Sequence, residues 1–362
     1  MFSLLLAINS AWAEVCHWQE WQSFRQNYIS RDGRVIDPAD GKNITTSEGQ
    51  SYALFFALVA NDRDQFNQLL TWTENNLAAG HLTDRLAGWL WGKKSDDSWG
   101  ILDTNSASDA DLWIAYSLLE AGRLWHSRNY QMLGTLLLQR IVREEVVDIA
   151  NLGTMLLPGK IGFAAENSWR LNPSYQPPQL LARFSQIEKI WANVAKTNQK
   201  LLLDAAPAGV AADWVVWRKD QGWQTDSKTG ASGDYDAIRV YLWLGMLSDD
   251  SPEKSALIAH YQPMVTLTQH AGIPPETVNT VTGEGSGTAP VGFSAALLPF
   301  LAGSPAQAVQ RERVLNNLPD SNAYYNNVLT LFGLGWDRHY YRFNQQGELQ
   351  VFWESEICKN TD

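Results

Sequence analysis

Apolar residues along this chain recur mostly at spacings of three and four, the period of a helix that buries one face. Trp18, Trp21, Phe24 and Tyr28 form one such stripe. The segment 108–125 carries another through Leu112, Ala115, Leu118 and Leu119. The same period predicts helices over roughly 48–60, 63–78, 129–144, 179–193, 235–248, 253–267, 292–302, 305–317 and 322–334. Strand-like alternation is confined to 339–352, where His339-Tyr340-Tyr341-Arg342-Phe343 precedes Leu349-Gln350-Val351-Phe352. Segments rich in Gly, Pro, Asn and Asp at 30–47, 81–107, 152–178, 206–234 and 273–291 read as loops. No linker or shift of composition divides the chain. The pattern predicts one all-α domain of paired helices over residues 14–362.

The first residues follow a different rule. Leu4, Leu5, Leu6, Ala7 and Ile8 form a short apolar stretch, and Ala11-Trp12-Ala13 follows as an A-x-A cleavage signal. Residues 1–13 are therefore expected to be a signal peptide, although no Lys or Arg precedes the apolar run. Cys16 and Cys358 are the two cysteines of the chain. In an oxidising compartment they could form one disulfide that ties the two ends together.

Composition narrows the function. The chain has 362 residues, and its 45% apolar content can build a large core, which excludes disorder. The net charge of −11 argues against nucleic acid, whose phosphates call for clustered Lys and Arg. No apolar run is long enough to span a bilayer. The six histidines are scattered and form no H-E-x-x-H pair, so neither a metal nor another cofactor is expected. The 17 tryptophans are unusual, because an indole face serves core packing and sugar stacking alike.

Three helix starts share an acidic design: Thr45-Thr46-Ser47-Glu48, Ser106-Ala107-Ser108-Asp109-Ala110-Asp111 and Gly233-Asp234-Tyr235-Asp236. Carboxylates at such positions often only cap free amides. Thr45-x-x-Glu48 and Ser108-x-x-Asp111 both scan as capping boxes. Three together suggest more. In a barrel of antiparallel helix pairs, all inner helices begin at one end, so their carboxylates would gather at one cleft. Glycoside hydrolysis requires such a pair, one protonated and one ionised. Trp89, Trp91 and Trp169 lie in loops, where they could stack on pyranose rings. Asn172 and Tyr175 could bond hydroxyl groups. Trp113 and Trp125 fall on helical stripes and are expected in the core.

The segment from Ala107 to Trp125 resembles the signature of glycoside hydrolase family 8, and the resemblance extends from about Cys16 to Cys358. Thr45–Tyr52 and Tyr235–Tyr241 are similar to two further motifs of that family, with Ala53 standing where Gly is expected. The resemblance implies an (α/α)6 barrel with a few short strands and inverting endo-hydrolysis of β-1,4-glucan. It assigns Glu48 as general acid and Asp236 as base. Asp109 is implied as either a nucleophile or a substrate-positioning residue, and inversion, which uses water as the attacking group, favours positioning. Tyr235 and Arg239 flank the base and would orient it or the glucosyl unit. The resemblance further implies a periplasmic enzyme that acts on cellulose chains, and an association with the cellulose synthesis and export machinery; a monomer is expected. Two alternatives remain at this level. One is a family hydrolase for chitosan, xylan or mixed-linkage glucan. The other is a non-catalytic glucan-binding protein, which would keep the aromatics and lose an acid.

Overall fold

Burial divides the helices into two kinds. The computed structural model describes residues 18–355, so the expected signal peptide, Cys16 and Cys358 lie outside the described residues. Among the described residues the helices are α1 (Gln19–Tyr28), α2 (Ser47–Val59), α3 (Arg63–Leu77), α4 (Ser108–Leu124), α5 (Arg128–Glu145), α6 (Pro178–Ser185), α7 (Ile190–Asp204), α8 (Ile238–Met246), α9 (Lys254–His260), α10 (Gln262–Ala271), α11 (Val291–Leu297), α12 (Pro305–Asn316) and α13 (Tyr324–Asp337). Helices α2, α4, α6, α8, α11 and α13 are buried on nearly every side. The others bury one stripe and leave a polar face in solvent, as amphipathic surface helices do.

The buried helices form a ring. Each packs on the next, from α2 to α4, α6, α8, α11 and α13. Phe332 of α13 closes the ring against Tyr52, Phe55 and Phe56 of α2. Each inner helix also packs on an outer one: α2 on α3, α4 on α5, α6 on α7, α8 on α9, α11 on α12, and α13 on α1. This is an (α/α)6 barrel. Trp113 and Trp243 fill its centre, and Trp125 is buried at the end of α4.

Connection length sorts by end. Inner helices pass to outer ones through the short segments 60–62, 125–127, 186–189, 247–253 and 298–304. Outer helices return through the long segments 29–46, 78–107, 146–177, 205–237 and 272–290. Most of the elaboration therefore gathers at the end where inner helices begin; the return 317–323 is short, and the strands after α13 lie at the other end.

Those long segments are more structured than the sequence suggests. They carry an antiparallel sheet of Thr45–Thr46, Leu90–Lys93 and Trp99–Asp103, and a hairpin of Val146–Ile149 with Gly153–Leu156. A four-stranded sheet joins distant segments, pairing Leu171 with Val215. These strands are short and half-buried, so no long alternation marks them. The expected hairpin near 339–352 is present as Tyr341–Phe343 and Leu349–Val351.

Two expected helices are each a pair. The stretch 179–193 turns at 186–189, because Leu180, Leu181, Phe184 and Trp191 face the same interface and hide the turn in one apolar stripe. The stretch 253–267 breaks at Tyr261, where Pro263 starts α10 with no amide to donate.

Close helix approach depends on small residues. A Cβ on Gly333 of α13 would lie 1.9 Å from the Ala295 carbonyl oxygen of α11. Gly333→Ala should therefore lower stability by on the order of 3 kcal/mol, despite the better helix propensity of Ala. Denaturant unfolding measures this directly.

Candidate active site

Neither expected capping box forms, and at α4 Asp109 Oδ1 instead accepts the neighbouring Ala110 amide at 2.8 Å. At α2 the cap is Thr46, whose Oγ1 accepts from the Gly49 amide at 3.0 Å. Thr45, the cap position of the expected box, instead donates to the Val35 carbonyl at 2.5 Å. At α4 the N-cap is Ala107, which makes no side-chain bond, and the Ser108 hydroxyl has no partner, so the second expected box does not form. At α8 the amides of Asp234, Asp236 and Ala237 all donate to Asp213 Oδ1. Glu48 and Asp236 are thereby released from capping.

They are drawn instead to one cation. Arg239, on the first turn of α8, is only 4% exposed. Its Nη1 donates to Glu48 Oε2 at 2.5 Å and its Nη2 donates to Asp236 Oδ1 at 2.8 Å. Nη2 also donates to Ser174 Oγ at 3.1 Å and stands 4.0 Å from Asp109 Oδ2. One rigid guanidinium thus gathers all three predicted acids. Because it bridges Glu48 and Asp236, their nearest oxygens lie no more than about 8 Å apart, which admits the roughly 6.5–9.5 Å separation that leaves room for a water.

Surroundings distinguish the acids. Glu48 and Asp236 are partly exposed, whereas Asp109 is 3% exposed. Burial, then repulsion from Glu48, pushes the Asp109 carboxyl up to about 8 against the pull of Arg239. Burial thus favours the protonated form of Asp109, while Arg239 and the Ala110 amide oppose it. Asp236 is held at both oxygens, since Asn172 Nδ2 donates to its Oδ2 at 3.1 Å.

The other predicted site residues separate into groups. Asn172 is buried and orients Asp236, and Tyr175 lies with its ring 6.0 Å from the Arg239 guanidinium carbon. Tyr235 is exposed, donates to Glu276 Oε1 at 2.9 Å and receives a bond from Tyr325 on its carbonyl. Trp89 is exposed, and its carbonyl accepts from the Ser47 amide at the start of α2. Trp91 stacks on Trp99 beneath the Arg34 guanidinium. Trp169 is not brought to the acids. It packs against a satellite core of Leu171, Leu201 and Val215, because the strand alternation turns it inward. The aromatic beside the site is Trp214, edge-on to Tyr175 and covered by Arg170 at 3.6 Å. Ser174, Asp213, Trp214 and Tyr325 carry no sequence signal, since each meets the site only through the fold. Among the described residues no cluster of His, Cys, Asp and Glu could hold a metal ion.

Behind Asp109 lies a second pair of acids. Asp111 and Glu145 are fully buried, and Ser106 Oγ donates to Glu145 Oε1 at 2.5 Å. Burial, followed for Asp111 by repulsion from Glu145, drives Asp111 well above the carboxylate range, and burial drives Glu145 to about 8. Both bind protons more tightly folded than unfolded. The stabilisation from both is whole below the unfolded carboxyl range and is lost as pH rises, for Glu145 through about 8. Glu145→Gln keeps the acceptor for Ser106 and cannot ionise. Its melting temperature should exceed the wild-type value at pH 8 by a few degrees, on the order of 1–2 kcal/mol, and match it near pH 5. Thermal melts at the two pH values test this.

Two partly exposed carboxyl groups held close together at one end of a barrel of inner helices are what glycoside hydrolysis requires. The chain belongs to glycosyl hydrolases family 8, which matches it over residues 1–339. It is 57% identical to an endoglucanase of Salmonella typhi over 360 residues, covering 99% of this chain and 97% of that one. It is 55% identical to an endoglucanase of Escherichia coli K12 over 358 residues, with the same coverage. The crystal structure of an endo-1,4-D-glucanase from Vibrio fischeri ES114 superposes with a TM-score of 0.90 at 49% identity, covering 94% of this chain and 100% of that one.

Proposed function

We propose that this protein is an inverting endo-β-1,4-glucanase with Glu48 as general acid and Asp236 as general base. The observation that carries the assignment is the single Arg239 guanidinium bonded to both carboxyl groups. Glu48 gives its proton to the glycosidic oxygen as the C1–O bond breaks. A water on the opposite face gives a proton to Asp236 and forms the new bond to C1, so the product is released as the α-anomer. Arg239 and Asn172 fix the orientation of the Asp236 carboxylate, whose remaining lone pairs are free for the water. Asp109, protonated and buried, donates to a glucosyl hydroxyl and positions the ring. Trp89, Trp91, Tyr175 and Tyr235 line the approach.

The substrate is cellulose or its soluble fragments, cut during bacterial cellulose synthesis. The A-x-A segment supports export to the periplasm, with residues 14–362 as the mature catalytic chain and Cys16 bonded to Cys358. No helix among the described residues is long and apolar enough to cross a membrane. The protein acts as a monomer beside the cellulose synthesis and export machinery.

Proton NMR of a cellooligosaccharide digest is the test. The α-anomer should appear first and mutarotate afterwards. Immediate β-anomer would mean retention and would overturn the role of Asp236. Absence of any product, with turnover of chitosan, xylan or mixed-linkage glucan instead, would overturn the substrate.

A further inference from the structure

The base sits just before a helix that does not cap itself. Helix α8 begins at Ile238, and its N-cap Ala237 has no side-chain acceptor of its own. The acceptor is supplied from a distant part of the chain. Asp213 Oδ1 receives the amides of Asp234 at 2.9 Å, Asp236 at 3.1 Å and Ala237 at 2.8 Å. Three donors on one oxygen define the path of the backbone on both sides of Asp236.

Asp213 is itself immobilised. It is buried, and its amide donates to the Ser232 carbonyl at 3.0 Å. Two residues upstream, the Ala211 amide donates to the Tyr241 hydroxyl at 2.8 Å, and Tyr241 belongs to α8. Gly233 approaches the Ala211 carbonyl so closely that a Cβ there would lie 1.9 Å from the oxygen. Segments 211–213 and 232–241 therefore form one clamp. Asp236 lies within it, with its carboxylate projecting to Arg239 and Asn172.

We propose that Asp213 is the positioning residue of the catalytic base, holding the Asp236 backbone so that the carboxylate meets the attacking water. This rests on the reading of Asp236 as base. Asp213 touches no substrate and acts only through Asp236. A plain helix cap would contribute stability alone. A positioning residue contributes to kcat, because a displacement of about 1 Å at a reacting group costs on the order of 100-fold in rate.

A double-mutant cycle on a cellooligosaccharide separates the two roles. Asp213→Ala removes the acceptor and leaves three amides unpaired. It should lower kcat by on the order of 100-fold, with KM within about threefold of wild type, at temperatures well below its melting point. Asp213→Asn keeps Oδ1 and should recover kcat to within about fivefold of wild type. In an Asp236→Asn background, Asp213→Ala should cause no further loss of the residual rate. If Asp213→Ala does not fold, Tyr241→Phe loosens the same clamp and should lower kcat several-fold, again only when Asp236 is present. The proposal is overturned if either variant keeps wild-type kcat while melting lower. It is equally overturned if their losses persist undiminished beside Asp236→Asn. Wild-type turnover by Asp236→Asn alone would instead overturn the base assignment, and the positioning role with it.

Discussion

Glu48→Gln is expected to fold like the wild type and to lose about 100- to 10,000-fold in kcat on cellooligosaccharides, the range that a general acid contributes. Gln keeps an oxygen that can accept from Arg239, so the bridge to α8 survives. What disappears is the transferable proton. The loss should depend on the leaving group. A glucosyl fluoride needs little protonation to depart, so Glu48→Gln should hydrolyse it far better than it hydrolyses a glycosidic bond. Asp236→Asn should lose both activities, because each still needs an activated water. Parallel kinetics on the two substrates test the assignment. Undiminished turnover of an unactivated glucan by Glu48→Gln would remove Glu48 from the role of acid.

Arg239→Leu is expected to be the most damaging single change at the site. The guanidinium is buried, bonds Glu48, Asp236 and Ser174, and stands beside Asp109. Removing one partner of a buried ion pair typically costs about 3–5 kcal/mol, because the remaining charges keep their burial and lose their compensation. Here three carboxyl groups would face one another across the gap. The penalty should depend on pH in a definite direction. Without the cation, the folded carboxyls bind protons more tightly than the unfolded ones do. The lost stability should therefore be largest above the carboxyl range and shrink as the pH falls through it. Melting curves at pH 4.5 and 7.5 check the sign. If Glu48 and Asp236 act as proposed, activity should fall by on the order of 1,000-fold, because Asp236 loses one of its two orienting bonds and Glu48 loses its bond to the guanidinium. Arg239→Lys should recover part of the stability and little of the activity, since one ammonium cannot reproduce the fork that spans both carboxylates.

The acids themselves were legible because their signal is local. Glu48, Asp109 and Asp236 stand at or just before helix starts, and a helix start is readable from a few consecutive residues. What those acids do there was less legible. Both expected capping boxes are absent, and the caps come from Thr46 and from Asp213, the latter 24 residues before Ala237. Trp169 and Trp214 show the same limit. Both lie in segments that read as loops, yet a four-stranded sheet turns Trp169 inward and leaves Trp214 beside Tyr175.

The sequence by itself determined the helix count closely, the all-α class and the end at which Glu48, Asp109 and Asp236 collect. These follow from short-range periodicity and from the chemistry of helix starts, and neither needs a distant partner. Only the tertiary structure decided that one guanidinium joins Glu48 to Asp236 across 191 residues of chain, that Asp109 is buried, and that Asp213 Oδ1 accepts the amides of Asp234, Asp236 and Ala237. Burial and hydrogen bonding between distant segments exist only once the ring of helices has closed, so no stretch of the chain carries them alone.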